Sequence, residues 1–231
     1  MNRSPSMMTN TTAAAGYEER VMQQVPGLSD MHRMAGILLA EHAPESGRIL
    51  VLGAGGGLEL RSFARAHPGW HFDGIDPSAD MLGLARTTLG VLQERVTFHQ
   101  GYIEDAPDAR FDGASCFLTL HFLPREARLD TLRALHRRLK PGAPLVVAHH
   151  SFPIGTPAGE RWLRRNARFH ASSGEASNRV MAQIEAMRDR LPALPPEEDE
   201  ALLYEAGFGD VELFYAGFTF RGWVCRALPF S

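Results

Sequence analysis

Arg48-Ile-Leu-Val-Leu-Gly-Ala-Gly-Gly-Gly-Leu-Glu-Leu60 places four glycines within five residues, between an apolar run and the start of an amphipathic stretch. Ile49 to Leu52 is apolar throughout and of strand length, the pattern of a central parallel strand covered on both faces. Gly53, Gly55, Gly56 and Gly57 predict a turn without β-carbons, so that a ligand can lie against the amides that open the next helix. The spacing is G-x-G-x-G. A dinucleotide fingerprint, G-x-G-x-x-G, needs its third glycine at position 58, where the chain has Leu58. Glycine clusters also close ordinary turns, so the loop alone does not identify a ligand.

A second anchor follows. Phe72-Asp-Gly-Ile-Asp76-Pro-Ser-Ala-Asp-Met81 predicts a strand that ends in an acid, with Pro77 at the first helical position and an amphipathic helix through Leu89. Asp76 lies 23 residues after Gly53. In a nucleotide-binding βαβ unit an acid at about this distance sits at the tip of the second strand and accepts hydrogen bonds from ribose hydroxyls. The other reading is an acidic helix cap, although Ser78 and Asp80 already serve that helix start.

Further strands are predicted at Arg95 to His99, Gly113 to Leu118 and Pro144 to His149. Leu58, Leu60, Phe63 and Ala64 mark one crossover helix, and Leu129, Leu132, Leu135 and Leu139 mark another. This alternation implies a parallel α/β sheet with right-handed crossovers and ligands at the carboxyl ends of the strands. Gly53, Asp76, Tyr102 and Thr119 fall at such ends. Residues 157–206 read as three helical stretches broken at Ser172-Ser-Gly174 and Pro192 to Pro196, a lid-sized insertion. Val211 to Tyr215 and Phe218 to Arg226, separated by Ala216-Gly217, suit an antiparallel hairpin.

The chain of 231 residues is expected to hold a single domain over 16–231, after a disordered polar leader at 1–15. Two helices within 16–43 precede the first strand, and they either cover the ligand or simply pad the sheet. The formal charge of −3 offers no global attraction to nucleic acid or to an anionic membrane. No segment approaches the apolar length of a membrane span, and no apolar signal core stands at the start, so the expected location is cytoplasmic. Cys116 and Cys225 lie in apolar runs and form neither a disulfide framework nor a metal motif.

Gly53-Ala-Gly55-Gly-Gly57, Ile75-Asp76, Gly101-Tyr102-Ile103, Phe111-Asp-Gly113, Leu120-His-Phe-Leu-Pro124, Leu139-Lys-Pro-Gly142 and a closing hairpin after Ala206-Gly-Phe208 occur in this order. From about residue 17 to 227 the chain thereby resembles the class I S-adenosylmethionine-dependent methyltransferases. The resemblance implies a Rossmann-like, doubly wound, seven-stranded sheet, mostly parallel with the antiparallel hairpin at its C-terminal end, plus the N-terminal helices and the lid. It also implies S-adenosylmethionine as cofactor and S-adenosylhomocysteine as product. Gly53, Ala54 and Gly55 would hold the methionine part, Asp76 with Pro77 the ribose, and Met81, Tyr102 and Ile103 the adenine. Leu118 to His121 would border the reacting methyl.

Val25-Pro-Gly27, Met34-Ala-Gly36, Thr119-Leu-His-Phe-Leu123 and Glu205-Ala-Gly-Phe208 followed by Phe218-Thr-Phe220 carry a closer likeness to carboxy-S-adenosylmethionine synthase, which feeds wobble-uridine modification in tRNA. The chain departs from that pattern at key places. The lid arginine that holds the extra carboxylate in the synthase aligns with Ile184, and an apolar side chain cannot replace a charge-assisted pair worth about 1.5–3 kcal/mol. The synthase's strand-four asparagine falls on Phe117, its tyrosine on Leu28 and its aspartate on Tyr102, while Arg179 and Arg188 are candidates for compensation. Val51 stands where many methyltransferases have an acid that supports the methionine amine, a task left to Glu59 or a water.

His121 is the candidate general base, the alternative being a packed or capping histidine. His149 and His150 close strand five without a third metal ligand in pattern. Arg161, Arg164, Arg165 and Arg168 share one helical face, with Arg161 and Arg165 the candidate substrate contacts; a solvated face or a subunit contact is the other reading. Trp162 and Phe169 are the only aromatics interleaved there, so no strong nucleic-acid signal arises. Three functions remain open: methyl transfer to a small-molecule acceptor, the synthase activity, and non-catalytic binding of a nucleotide-like ligand. A homodimer through the lid is the expected assembly.

Overall fold

The computed structural model describes residues 16–172, 182, 184, 185, 187, 188 and 191–229. The leader at 1–15, Gly174 and Arg179 lie outside the described residues. Residues 16–24 are helical (α1), followed by α2 (Leu28–Ala40), β1 (Arg48–Leu52), α3 (Leu58–Ala66), β2 (His71–Asp76), α4 (Ala79–Leu89) and β3 (Val96–Gln100). Then come β4 (Gly113–Phe117), α5 (Arg125–Arg138), β5 (Pro144–His150), α6 (Pro157–Ser172), α7 (Pro196–Glu205), β6 (Phe208–Gly217) and β7 (Phe220–Ala227).

The strands form one sheet in the order β3-β2-β1-β4-β5-β7-β6. β1 pairs in parallel with β2 and with β4, β2 with β3, and β4 with β5, whereas β7 runs antiparallel to β5 and β6. The chain thus winds outward in both directions from β1. The crevice between the ends of β1 and β4, where the winding reverses, is the place such sheets bind ligands.

Alternation along β1 shows why both faces must be covered. Ile49 and Val51 face a core with Met31, Leu39, Leu60, Phe63 and Phe72, built on α2 and α3. Leu50 and Leu52 face the opposite core, with Leu129, Leu132, Leu135, Leu202 and Trp223 from α5, α7 and β7. At about 25 cal/mol per Å² of apolar surface, burying such a strand on two sides is the main force that makes it central. Cys116 and Cys225 are free thiols packed in this second core. No described helix is long and apolar enough to cross a membrane.

Several boundaries differ from the sequence expectation: the hairpin turns at Phe218-Thr219, where Phe218 has a φ of 51°, while Ala216 and Gly217 belong to β6, and three others have clear causes. Pro77 lies outside α4 because Ser78 takes the N-cap, accepting the Met81 N–H at 3.3 Å, while Asp76 Oδ1 accepts the Ser78 N–H at 2.9 Å. Strand β4 stops at Phe117, since Leu118 adopts a φ of 53° and turns the chain out of the sheet. Strand β6 starts at Phe208, three residues early; register shifts between Gly209 and Glu212 and between Leu213 and Tyr215 break the two-residue alternation that marks a strand.

Candidate functional site

Gly53 and Ala54 donate to the same Ile75 carbonyl, each at 2.8 Å, which clamps the glycine loop over the end of β2. The Gly55 N–H donates to Asp76 Oδ2 at 2.9 Å, so one carboxylate holds both the loop and the cap of α4. Gly53 has a φ of 76°, and a β-carbon there would stand 2.0 Å from Thr119 Oγ1. Gly56 is required for another reason: a β-carbon would stand 2.3 Å from the Tyr17 ring, which α1 lays across the loop.

Above this loop is a cavity of about 270 Å³. Gly53, Gly55, Asp76 and Pro77 form its floor, Leu118, Thr119 and Phe122 one side, and Tyr17, Val21 and His32 from the N-terminal helices another. Glu59, in the first turn of α3, completes it. His32 stacks on Phe117 at a centroid distance of 5.6 Å. Burial, with help from the Arg61 charge, pushes His32 down to about 4, so it is neutral near pH 7.

Glu59 is 7% exposed. Burial pushes its carboxyl up to about 8, opposed by its own backbone amide and reinforced by the charge of Asp76. Such a raised value contributes stability below the ordinary carboxylate range, and that contribution is lost as pH rises toward 8. Glu59→Gln is therefore expected to raise the melting temperature of the ligand-free protein by about 3–6 °C at pH 8 and to leave it nearly unchanged at pH 5. Melting curves at the two pH values check this.

A second cavity of about 490 Å³ adjoins the first, and the two share Tyr17, Val21, Leu118 and Phe122. Val25, Met187, Leu191 and Phe220 make the second chamber largely apolar, and Tyr17, Gln24, His121, His150 and His170 are its polar groups. Among the described residues that line it there is no lysine, arginine, aspartate or glutamate. His121 Nδ1 accepts the His150 backbone N–H at 3.3 Å, which places the His121 proton on Nε2. Burial, followed by the neighbouring His150, His149 and Arg128, holds His121 well below the usual imidazole range. His150 stacks on Phe220, contacts Thr219 Oγ1 at 2.9 Å through Nδ1, and is pushed down to about 3 by burial and then by His149 and His170. His170 donates from Nε2 to the Gln24 carbonyl at 2.9 Å, tying α6 to α1.

Behind the chamber is a buried charged cluster. Arg128 on α5 pairs with Asp199 on α7 and donates to the carbonyls of Leu123 at 3.2 Å and Pro192 at 3.0 Å. His149 Nε2 stands 3.3 Å from the other Asp199 oxygen. Burial raises the Asp199 carboxyl, but His149, Arg128 and Ser151 together outweigh it and hold it below its ordinary value.

Of the residues singled out in the sequence, Gly53, Gly55, Asp76, Pro77 and Leu118 line the first cavity, and His121 lines the second. Ala54 is buried beneath the loop, and the Met81 methyl lies 3.7 Å from where a Gly55 β-carbon would be. Tyr102 is 65% exposed and Ile103 is buried in the α5 core; neither lines the cavities. Arg161 and Arg165 are exposed on α6, the first bonded to the Pro157 carbonyl and the second 4.5 Å over the Trp162 ring. Neither lines a cavity, and Arg188 is held by Glu160 through two bonds of 3.0 and 2.9 Å. Ile184 is packed with Phe152, Leu163 and Ala167.

Sequence reasoning missed Tyr17, His32, His170 and Phe220. Gly56 was the available signal for Tyr17. It is a glycine without a positive φ, and its small size is explained only by an aromatic partner from elsewhere in the chain. A larger groove of about 630 Å³ behind α1, α2 and α3 shares Leu28, His32 and Leu58 with the first cavity, but two of its arginines are already paired, Arg33 with Asp30 and Arg61 with Glu18.

Residues 49–142 match the family model described as Methyltransferase domain. The carboxy-S-adenosyl-L-methionine synthase of Aeromonas hydrophila is 24% identical, over 88% of this chain and 84% of its own length. That of Wolinella succinogenes is 27% identical, over 92% and 90%. Among solved structures, human N-acetylserotonin methyltransferase in complex with S-adenosylmethionine matches with a TM-score of 0.59 at 16% identity, over 92% of this chain and 56% of that one. An O-methyltransferase family protein from Burkholderia thailandensis matches with a TM-score of 0.64 at 16% identity, over 86% and 55%. The chain thus spans little more than half the length of those two methyltransferases, which share its fold.

Proposed function

We propose that this chain, similar over most of its length to carboxy-S-adenosylmethionine synthases, is a class I S-adenosylmethionine-dependent methyltransferase that transfers a methyl group to a small, uncharged, largely apolar acceptor. The observation that carries this reading is the wall shared by the two cavities, Tyr17, Val21, Leu118 and Phe122. A donor in the first cavity faces an acceptor in the second across those residues.

The residues of the first cavity fit the cofactor. The glycine loop packs against Thr119 and Tyr17 only because it lacks β-carbons, which leaves its backbone bare at the cavity floor, and each Asp76 oxygen accepts one backbone amide and keeps a lone pair for a ribose hydroxyl. When bound, S-adenosylmethionine supplies an electrophilic methyl on a sulfonium that leaves readily. What the chain must add is alignment, and holding reactants about 3–3.5 Å apart in line corresponds to effective molarities on the order of 10⁵–10⁸ M.

Leu118 and Phe122 border that line. His121, neutral with its proton on Nε2, donates a hydrogen bond to the acceptor rather than taking a proton from it. His150 is likewise neutral and weakly basic. The chamber therefore suits an acceptor that is nucleophilic while uncharged, such as a neutral amine, whose proton leaves to solvent after the transfer, and disfavours a carboxylate or phosphate.

The identities with carboxy-S-adenosylmethionine synthases favour a second reading, carboxyl transfer to the same cofactor. Against it stand the buried Ile184 at the aligned arginine position, the engagement of Arg188 by Glu160 and the absence of a cation among the described residues of the chamber. Mass spectrometry of small molecules released by denaturing the purified protein separates the two. S-adenosylmethionine or S-adenosylhomocysteine is expected; the carboxylated sulfonium would establish the second reading, and an empty protein that also fails to bind S-adenosylhomocysteine at millimolar concentration would overturn both. A homodimer through residues 157–206 and a cytoplasmic location belong to the same proposal, and light scattering tests the former.

A further inference from the structure

The carboxyl of Glu59 is the one side-chain charge in the wall of the first cavity for which the described residues supply no partner beyond its own backbone amide. It is 7% exposed and stands in the first turn of α3, beside the loop that ends at Gly57. The groups that face it come from every neighbouring element. They are Tyr17 of α1, His32 of α2, Asp76 at the tip of β2 and, behind it, Cys116 of β4. Tyr17 is raised by burial and by Glu59 itself, and Cys116 is pushed up to about 12 by burial and Glu59, so both are neutral, as is His32. Arg61, two residues along α3, is taken by Glu18. The cavity therefore presents two acids and no cation among the described residues that line it.

A cavity of that kind is completed by a ligand that brings positive charge. S-adenosylmethionine carries two cationic groups, the sulfonium and the α-ammonium of its methionine part. The sulfonium must sit at the wall of Leu118 and Phe122 for its methyl to meet the second chamber. That leaves the α-ammonium for the opposite, loop-side wall, where α3 begins.

On the reading of this cavity as the S-adenosylmethionine site, we infer that Glu59 is the counter-charge for the cofactor's α-ammonium and releases its proton to solvent as the ammonium docks. The proton balance is simple. A neutral carboxyl and a cationic amine go in, a carboxylate–ammonium pair results, and one proton leaves to bulk water. A charge-assisted contact forms that the empty protein does not have. Because binding releases a proton, affinity rises with pH until Glu59 is ionised without ligand, and it falls again once the amine itself loses its proton near pH 8.

Two ligands separate this role from a structural one. S-adenosylhomocysteine keeps the α-ammonium and lacks the sulfonium charge; 5′-methylthioadenosine keeps the nucleoside and lacks the whole amino-acid portion. In calorimetric titrations of the intact chain, Glu59→Gln is expected to weaken S-adenosylhomocysteine by about 10- to 100-fold and 5′-methylthioadenosine by less than about 2-fold. In the unsubstituted protein, affinity for S-adenosylhomocysteine should rise roughly tenfold between about pH 6 and 7.5. Heats measured in buffers of different ionisation enthalpy should report close to one proton released. Equal binding of S-adenosylhomocysteine by Glu59→Gln, or binding without proton release, overturns the inference while leaving the cofactor site intact. Equal weakening of both ligands assigns Glu59 to the shape of the cavity and overturns it as well. Failure of the unsubstituted protein to bind either ligand overturns the reading of the cavity itself.

Discussion

Gly53→Ala is expected to weaken S-adenosylhomocysteine by more than about 100-fold and to lower stability by about 2–4 kcal/mol. Alanine at a φ of 76° is strained in any surroundings, and here its methyl would stand 2.0 Å from Thr119 Oγ1. That oxygen has little freedom, since it donates to the Phe117 carbonyl at 2.8 Å and follows Leu118, itself held at a φ of 53°. The loop or the end of β4 must give way. Either movement displaces one wall of the cofactor cavity, because Gly53 and Thr119 both line it. Titration calorimetry and a melting curve measure the two effects. Thr119→Ala in the same chain should recover part of the stability by removing the hydroxyl, and binding should return less completely because the strained φ persists. A Gly53→Ala protein that binds as tightly as the parent would show that the loop does not form the floor of the site.

Asp199→Ala carries the largest expected loss of stability, about 3–5 kcal/mol, because it leaves the Arg128 charge buried without its partner. Arg128 is fully buried, and its two backbone bonds, to Leu123 and Pro192, cannot neutralise it. Replacing both partners, Arg128→Met with Asp199→Leu, should recover at least half of that loss, since an apolar pair in such a position is often as stable as the ion pair. The pH dependence has a definite sign. Asp199 is held below its ordinary value in the folded protein, so its contribution is present above about pH 4 and is lost as the pH falls through the folded value. Urea unfolding at pH 7 and at about pH 2 should show the gap between the parent and Asp199→Ala narrowing at the lower pH. The chamber should feel the change too, because Arg128 also bonds the carbonyl of Leu123, one residue beyond the shared wall at Phe122.

The features legible in the sequence were those that one residue type alone can satisfy. A turn with positive φ at Gly53 and close passage beneath a partner requires glycine, and an acid at the tip of a strand has little other use than to bind backbone amides or a ligand; Asp76 does the first and is placed for the second. The β-helix-β alternation was legible because buried parallel strands are apolar on both faces, as Ile49 to Leu52 are. The start of β6 was not, because its bulges destroy the period that defines a strand to a reader. Nor was the second chamber legible. Tyr17, His170 and Phe220 meet there from three distant parts of the chain, and no local pattern distinguishes them from core aromatics or a surface histidine. The arginine stripe on α6 shows the converse. Its helical spacing was read correctly, but spacing does not say which way the face points, and Arg161, Arg164, Arg165 and Arg168 are exposed.

Tyr17 and Val21 of α1 wall the same chamber as Phe220 of β7, and the Tyr215 hydroxyl donates to the Pro26 carbonyl at 2.6 Å. The chamber is therefore closed by segments about two hundred residues apart, with the parallel sheet between them. During synthesis the glycine loop and Asp76 emerge early and can come together while the strands that follow are still being made. The acceptor chamber cannot, because its last wall, at Phe220, is made only after all five parallel strands. A nascent chain stalled before β7, or a mature one nicked between α6 and β6 and stripped of its hairpin, would keep the loop that meets the cofactor and lose the enclosure that directs it toward an acceptor.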